Sequence, residues 1–331
     1  MLQAKAIALS YSNEVALILL LILGSVGFAQ VSGDASGLIR AISDSANETG
    51  AWRIEGSIKR GDSDASFVLQ IQSPDKIRYE QKGGATPAVV VCNASNAWLY
   101  SPPVNAYRKF MPKESPACSL IIEEWKRLPE TLESPKLVGK GSYLVEGKSR
   151  ECQLVRGASK PLPESAGSRK RTLCIDQKRN LIAWEKTESK EGSETYTYSR
   201  IEQNVTEADS TFTFEPPVGS KLTDLQLPTP GPLGSHNIPR APGVSLPRIV
   251  SNVEPRYDDD SRRAKIEGIV VLYVVIDNMG VPSEIYLLKS LSPGLDANAA
   301  SSVKKWRFSP AMKDGKPVSY GATIEVKFRL T

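Results

Sequence analysis

The stretch that most constrains this chain is its last. Residues 267–330 set an order of strand, turn, strand, helix and strand. Glu267-Gly268 opens the apolar run 269–276, and Asp277-Asn278-Met279-Gly280 follows with residues that tolerate positive φ. An apolar strand ending in such a turn predicts a hairpin, with its second strand over 284–289. Leu295, Ala299, Val303 and Trp306 then recur at helical spacing, one stripe fit to lie on a sheet. Asp296 in the first turn and Lys304-Lys305 in the last suit the helix dipole. In the final strand Ala322, Ile324, Val326, Phe328 and Leu330 share one face, and Thr323, Glu325, Lys327 and Arg329 share the other. An antiparallel strand with one packed and one wet face reads this way. Trp306 and Phe308 read as core.

The same residues resemble the TonB C-terminal domain family. The resemblance is carried by Glu267-Gly268 before the first strand, Ile276-Asp277 and Gly280 after it, Leu295-Asp296 opening the helix, and Trp306-Arg307-Phe308-Ser309-Pro310-Ala311 closing it. It implies a small α+β module that binds protein rather than one that catalyses. TonB-like domains take short N-terminal segments of outer-membrane receptors by strand addition. Here the terminal strand is the expected edge, with Thr323, Glu325, Lys327 and Arg329 on its solvent side. The competing use of that edge is pairing with a second copy of this chain. The energy-coupling half of the family is not matched. Residues 7–28 hold Ser10 and Ser12 but no His, and the usual Tyr-Pro ahead of the first strand reads Tyr257-Asp258.

The N-terminus reads as a targeting segment. Lys5 precedes the apolar run 15–26, which is shorter than the roughly 20 residues a membrane span needs. Gly27-Phe28-Ala29 offers small residues for cleavage, so residues 1–29 are expected to be a secretory signal. The alternative is an uncleaved anchor over 7–28, made costly by Asn13 and Glu14. Export fits the four cysteines, which lie in the middle of the chain without a C-x-x-C pair. From proximity alone the expected disulfides are Cys92–Cys118 and Cys152–Cys174. His236 is the only histidine, and no nucleophile elbow, phosphate loop or dinucleotide fingerprint appears. No enzyme activity, metal or cofactor is expected. Glu123-Glu124 reads as a helix surface. Asp258-Asp259-Asp260 reads as a helix start, since the spacing of a calcium loop is missing. The densest basic run is Ser168-Arg169-Lys170-Arg171, read as a solvated loop entering a strand. Anionic lipid or nucleic acid is the other reading of that run, and no nucleic-acid partner is expected.

Between signal and C-terminal module the pattern is β-rich. Residues 34–47 read as an amphipathic helix with Leu38, Ile39 and Ile42 on one side. Short strand signals follow at 52–59, 66–72, 76–80, 89–92, 97–100 and 107–110, then a helix near 119–128. They resume at 136–138, 143–145, 152–156, 172–175, 181–188, 195–204 and 211–214. So many short strands argue for one large antiparallel sheet, curled or barrel-like. This region resembles the LolA-like and RseB-like envelope proteins. The features are a helix followed by Trp52-x-x-x-Gly56, then Ser73-Pro74-Asp75-Lys76-Ile77-Arg78, Cys174-Ile175-Asp176, Leu181-Ile182, and Phe212-x-Phe214-x-Pro216-Pro217. That resemblance implies an open antiparallel β-barrel around an apolar cavity for an acyl chain or extended peptide, with Trp52, Phe67, Leu69, Tyr79, Trp98 and Trp184 as lining candidates. Alternation alone does not separate a hollow interior from a filled one.

The expected organisation is therefore α+β overall: signal 1–29, LolA-like domain 34–222, Pro-rich linker 223–247 and TonB-like domain 248–331. The expected function is that of an exported periplasmic or envelope protein that binds an outer-membrane partner, with a lipid or lipoprotein acyl chain as a possible cargo. The alternatives are an energy transducer anchored by residues 7–28, and a periplasmic lipid or lipoprotein carrier.

Overall fold

The computed structural model describes residues 34–330, apart from 49, 73–74, 85, 112–120, 146, 160–168, 190–191 and 229–242. The signal or anchor segment, Cys118 and the middle of the linker lie outside the described residues. Among the described residues no helix is long and apolar enough to cross a membrane.

Helix α1 (Ala35–Glu48) leads into strands β1 (Ala51–Arg60), β2 (Ser63–Gln72), β3 (Lys76–Gly83), β4 (Ala88–Cys92), β5 (Ala97–Ser101) and β6 (Ala106–Phe110). Helices α2 (Ile121–Lys126) and α3 (Leu128–Thr131) precede β7 (Leu132–Val145), β8 (Lys148–Ser159), β9 (Arg169–Asp176), β10 (Leu181–Ser189) and β11 (Gly192–Gln203). With β12 (Lys221–Leu222) these form one sheet in the order β12-β6-β5-β4-β3-β2-β1-β11-β10-β9-β8-β7. All neighbours are antiparallel except β12 with β6. The ends β12 and β7 do not meet, so the sheet is open and not a closed barrel.

Two sequence expectations are corrected here. The signals at 136–138 and 143–145 are one strand, β7, because Gly139 and Gly141 continue the ladder opposite Leu154 and Cys152 rather than breaking it. The expected strand at 211–214 is instead a single helical turn, Asp209–Phe212. Phe212 is buried from that turn, and Phe214 lies against Trp98 and Tyr107 at 5.9 and 5.5 Å between ring centroids. Pro216-Pro217, which cannot donate to a ladder, follows directly.

One face of the large sheet carries α1 and α2. Leu38, Ile39, Ile42 and Ala46 of α1, and Ile122 and Trp125 of α2, share a core with Trp52, Ile54, Phe67, Leu69 and Tyr79. Trp125 meets Trp52 edge to face at 6.2 Å and Tyr198 at 5.2 Å. The opposite, outer face carries a smaller cluster of Tyr143, Cys152, Cys174 and Ala183, flanked by Val145, Leu154 and Trp184. Cys152 and Cys174 are bonded there, with Cα atoms 5.4 Å apart. Cys92 is disulfide-bonded too, and its expected partner Cys118 is not among the described residues.

The C-terminal unit follows the expected order. Strands β13 (Val244–Ser245) and β14 (Arg248–Ser251) come first, then helix α4 (Asp259–Arg263). Asp258 caps α4 by accepting from Ser261 N at 2.9 Å. Strands β15 (Gly268–Ile276) and β16 (Pro282–Lys289), helix α5 (Pro293–Val303) and the short strands β17 (Arg307–Ser309), β18 (Ala311–Lys313) and β19 (Lys316–Val318) lead to β20 (Tyr320–Phe328). The main sheet has the order β16-β15-β20. Val270, Leu272, Val274, Ile276, Ile324, Val326 and Phe328 pack under the predicted stripe of Leu295, Ala299, Val303 and Trp306. The β15–β16 turn is closed by Asp277, whose carboxylate accepts from Met279 N and Val281 N at 2.8 and 2.9 Å. Gly280 has φ 78°, and a Cβ there would sit 1.8 Å from Phe308 O, so only glycine fits.

The disulfide crosslinks neighbouring strands over a separation of 22 residues. Cys152→Ala/Cys174→Ala is expected to lower unfolding stability by about 3 kcal/mol, measured by urea denaturation. Non-reducing peptide mapping should recover the linked pair from the parent chain.

Candidate functional site

An antiparallel strand at the end of a sheet leaves half of its backbone N–H and C=O groups facing outwards. The small sheet has two such strands, β16 and β20, and the chain treats them differently. Beyond β12 the chain runs on beside β16. Leu287 N donates to Gln226 O at 2.9 Å, and Gln226 bridges Tyr286 in parallel. Leu227 is buried and Leu225 is half-buried against the same core. The residues just before are paired to the large sheet: Lys221 N donates to Asn105 O at 3.1 Å and Thr223 N to Tyr107 O at 2.9 Å. Seven residues, 221–227, thus lie along β6 and then along β16.

This docked segment was the feature that sequence reasoning missed, since it stands at the start of the expected linker. The available signal was Leu225 and Leu227 alternating with Asp224 and Gln226. At the far end of the expected linker, Val244 and Ser245 pair with Lys313 and Met312. Residues 229–242 lie outside the described residues.

Strand β20 pairs only with β15 among the described residues. Thr323, Glu325 and Lys327 are exposed, and Ile324, Val326 and Phe328 are buried, so the predicted faces stand as read. Arg329 is exposed just beyond the strand, and Leu330 N donates to Glu267 across from it. Gly321 admits the Tyr273 ring, whose hydroxyl lies 1.9 Å from where a Cβ would be. The result is a nine-residue edge with a charged solvent face and a firmly packed underside.

The six interior candidates do not come together. Trp52, Phe67, Leu69 and Tyr79 meet in the core beneath α1 and α2. Phe67 stacks on Tyr79 at 5.9 Å and meets Tyr198 edge-on at 6.1 Å. Trp98 and Trp184 are on the outer face, a correction to the lining set. Their strand neighbours Leu99 and Glu185 take the inward positions, and period-two alternation sends the two indoles out. Trp98 packs on Phe214 under Lys109, and Trp184 beside the disulfide. The inner face also holds charge. Arg171 donates to Glu185, with its Nε 2.8 Å from the carboxylate, and reaches Glu124 of α2 at 3.2 Å. Tyr198 OH donates to Glu185 as well. A buried cation is tolerable only because it is paired this way. Trp125 Nε1 is buried with no acceptor among the described residues.

Comparison with known proteins bears on the C-terminal unit. Residues 253–330 match the family described as Gram-negative bacterial TonB protein C-terminal. A curated relative, Protein TonB of Vibrio cholerae, is 37% identical over 89 residues, covering 26% of this chain and 36% of that protein. The chain spans about a third of the length of the curated relatives it matches. Among solved structures, the Pseudomonas aeruginosa TonB C-terminal domain is 26% identical with a TM-score of 0.23, covering 28% of this chain and 90% of that one. LprF from Mycobacterium bovis is similar at 11% identity and a TM-score of 0.38, covering 52% of this chain and 94% of that one. The C-terminal unit is a TonB C-terminal domain. The N-terminal unit has the open sheet and inner helices expected of a LolA-like layout, as its own topology shows.

Where the docked segment meets the module, one buried carboxylate ties the contacts together. Asp296 accepts from Leu291 N at 2.9 Å and from Ser290 Oγ at 2.5 Å, while Lys221 Nζ donates to Leu291 O at 2.7 Å. Burial raises the Asp296 carboxyl above its ordinary value, and the hydrogen bonds and Lys221 offset this only in part. With the folded value above the unfolded one, the folded state binds the extra proton, so this contribution to stability is lost as pH rises through the folded value. Chemical denaturation of the parent and of Asp296→Asn across acid pH should therefore show the parent gaining on the variant as pH falls through the folded value.

Proposed function

We propose that this chain is a non-enzymatic, exported binding protein of a Gram-negative-type cell envelope. Its TonB-like domain recruits a partner by adding the partner's extended segment to the free edge of β20. The observation that carries this reading is the asymmetry of the small sheet: the β16 edge is met at Tyr286 and Leu287 by the chain's own Gln226, and β20 pairs only with β15 among the described residues. Main-chain hydrogen bonds supply the affinity of such an addition, and the side chains of Thr323, Glu325, Lys327 and Arg329 the selectivity. The match over 253–330 supports the same reading, with an outer-membrane receptor-like protein as partner. The N-terminal sheet is the scaffold that holds the module in the periplasm and presents it.

A second reading concerns the interior. Trp125 Nε1, buried beneath α2 without an acceptor, favours a ligand that carries one, such as a lipid carbonyl or a peptide backbone, entering where α2 now packs. A fluorescent acyl probe should then bind saturably to delipidated protein, and Trp125→Phe should weaken it. Absence of saturable binding would leave a filled core.

The edge reading is tested by titrating a peptide from the N-terminal segment of a TonB-dependent outer-membrane receptor. Val326→Pro and Lys327→Pro probe the two backbone directions of β20. The one whose N–H points away from β15 should keep the melting temperature and weaken the peptide by about five- to tenfold. If both variants bind as the parent does, β20 is not the docking edge. If the parent instead dimerises and excludes the peptide, the edge serves self-association.

A further inference from the structure

Residues 132–189 hold twelve Lys or Arg against seven Asp or Glu, a net charge of +5, which is the net charge of the whole chain. These residues are the β7–β10 end of the large sheet. Alternation divides their cations between the two faces. Arg171 turns inwards to Glu185, while its neighbour Lys170 stays out. The inward row Val155, Leu173, Glu185, Tyr196 and Ile58 is buried. The next row outwards runs Lys136, Arg156, Thr172, Lys186, Thr195 and Lys59, each directly opposite the next. It carries four cations and no acid until Asp64 on β2. Six strands at their usual spacing make this row about 24 Å long.

Lys136 and Arg156 are directly opposed, and like charges so placed destabilise a sheet. Arg156 leans onto Thr172 Oγ1 at 3.2 Å. The next row holds two acids: Glu188, between Lys186 at 3.0 Å and Lys170 at 3.9 Å, and Glu133, opposite Ala158 at the β7 end. The row beside it holds Leu154, the Cys174 disulfide and the half-exposed indole of Trp184. A row of cations next to an amphipathic indole, over a depression lined by Arg156, Lys170 and Glu188 that stays open to solvent, suits a laterally fluid anionic surface better than one fixed acidic partner. Lipids can move to each cation, and Trp favours the headgroup level.

We propose that the outer face of β7–β10 binds the surface of an anionic phospholipid bilayer through Lys136, Arg156, Lys170 and Lys186, with Trp184 at the headgroup boundary. This stands apart from the β20 edge and does not depend on it.

The test is sedimentation of the full chain with vesicles of pure phosphatidylglycerol and of pure phosphatidylcholine. The variant Lys136→Gln/Arg156→Gln/Lys170→Gln/Lys186→Gln is set against Lys304→Gln/Lys305→Gln/Lys313→Gln/Lys316→Gln. Both remove four charges and both keep the apolar run 15–26, whose own membrane affinity cancels in the comparison. The parent should prefer phosphatidylglycerol, more so at low salt. The outer-face variant should lose at least about tenfold of that affinity, and the comparison variant no more than about twofold. Should the four-site variant unfold, Lys136→Gln/Lys170→Gln should lose at least about threefold. Equal losses in both variants, or a parent indifferent to lipid charge, would overturn the proposal. A parent that binds polyglutamate but not phosphatidylglycerol would assign the face to an acidic protein instead.

Discussion

Open sheets have edges, and an unpaired edge in water is a row of donors and acceptors available to any extended chain. The protein has two principal open sheets and so four ends to manage. Its economy lies in residues 221–227, which cover part of one end of each. Lys221-Leu222 lie along β6 at the end of the large sheet, and Gln226 lies along β16 at the end of the small one. Leu225 and Leu227 add apolar contact to a core cluster continuous across both units. Two ends remain. Strand β7 is interrupted by irregular register at Glu133–Lys136 and Leu137–Gly139 and lined with lysines, features that discourage pairing. Strand β20 is regular along its whole length against β15. The backbone accounting therefore singles out β20 before any family likeness is considered.

Much of the C-terminal domain was legible because its signals are local. The Asp277–Gly280 turn, the helix stripe and the alternation of β20 each depend on residues within one or two turns or strands of one another. The Cys152–Cys174 pairing was legible because the two strands flank a single loop. What failed had longer range. The LolA-like resemblance offers Trp98 and Trp184 as cavity lining, yet the burial of Leu99 and Glu185 settles the alternation the other way. Glu185 is inward only because Arg171 and Tyr198 meet it there, a pairing between strands that no single segment announces. The docking of 221–227 was hidden by the prolines that follow it, and its partners lie 60 and more residues away in β16.

The question of a hollow or filled sheet also has a physical answer that alternation did not contain. Helices α1 and α2 lay Leu38, Ile39, Ile42, Ile122 and Trp125 on the aromatics of β1 to β3. Ser43 Oγ donates to Lys126 O, fastening α1 to α2, and Glu124 ties α2 to Arg171. The inner face is thus covered by side chains of the same chain, with the Trp125 indole N–H an unmet group within it among the described residues. An ion pair between buried Arg171 and partly exposed Glu124 and two edge-to-face aromatic contacts hold α2.

The central claim is that one edge of the small sheet is occupied from within the chain and the other is free. Residue-resolved amide exchange on the unliganded protein tests it without any partner. The account predicts that Leu287 N–H exchanges slowly, since it donates to Gln226 O. It also predicts that alternate amides along Tyr320–Phe328 exchange quickly at every protein concentration, because they face solvent. Fast exchange at Leu287 would show that the segment is not docked. Slow exchange along the whole of β20, deepening with concentration, would show that a second copy already fills the edge and would contradict the account.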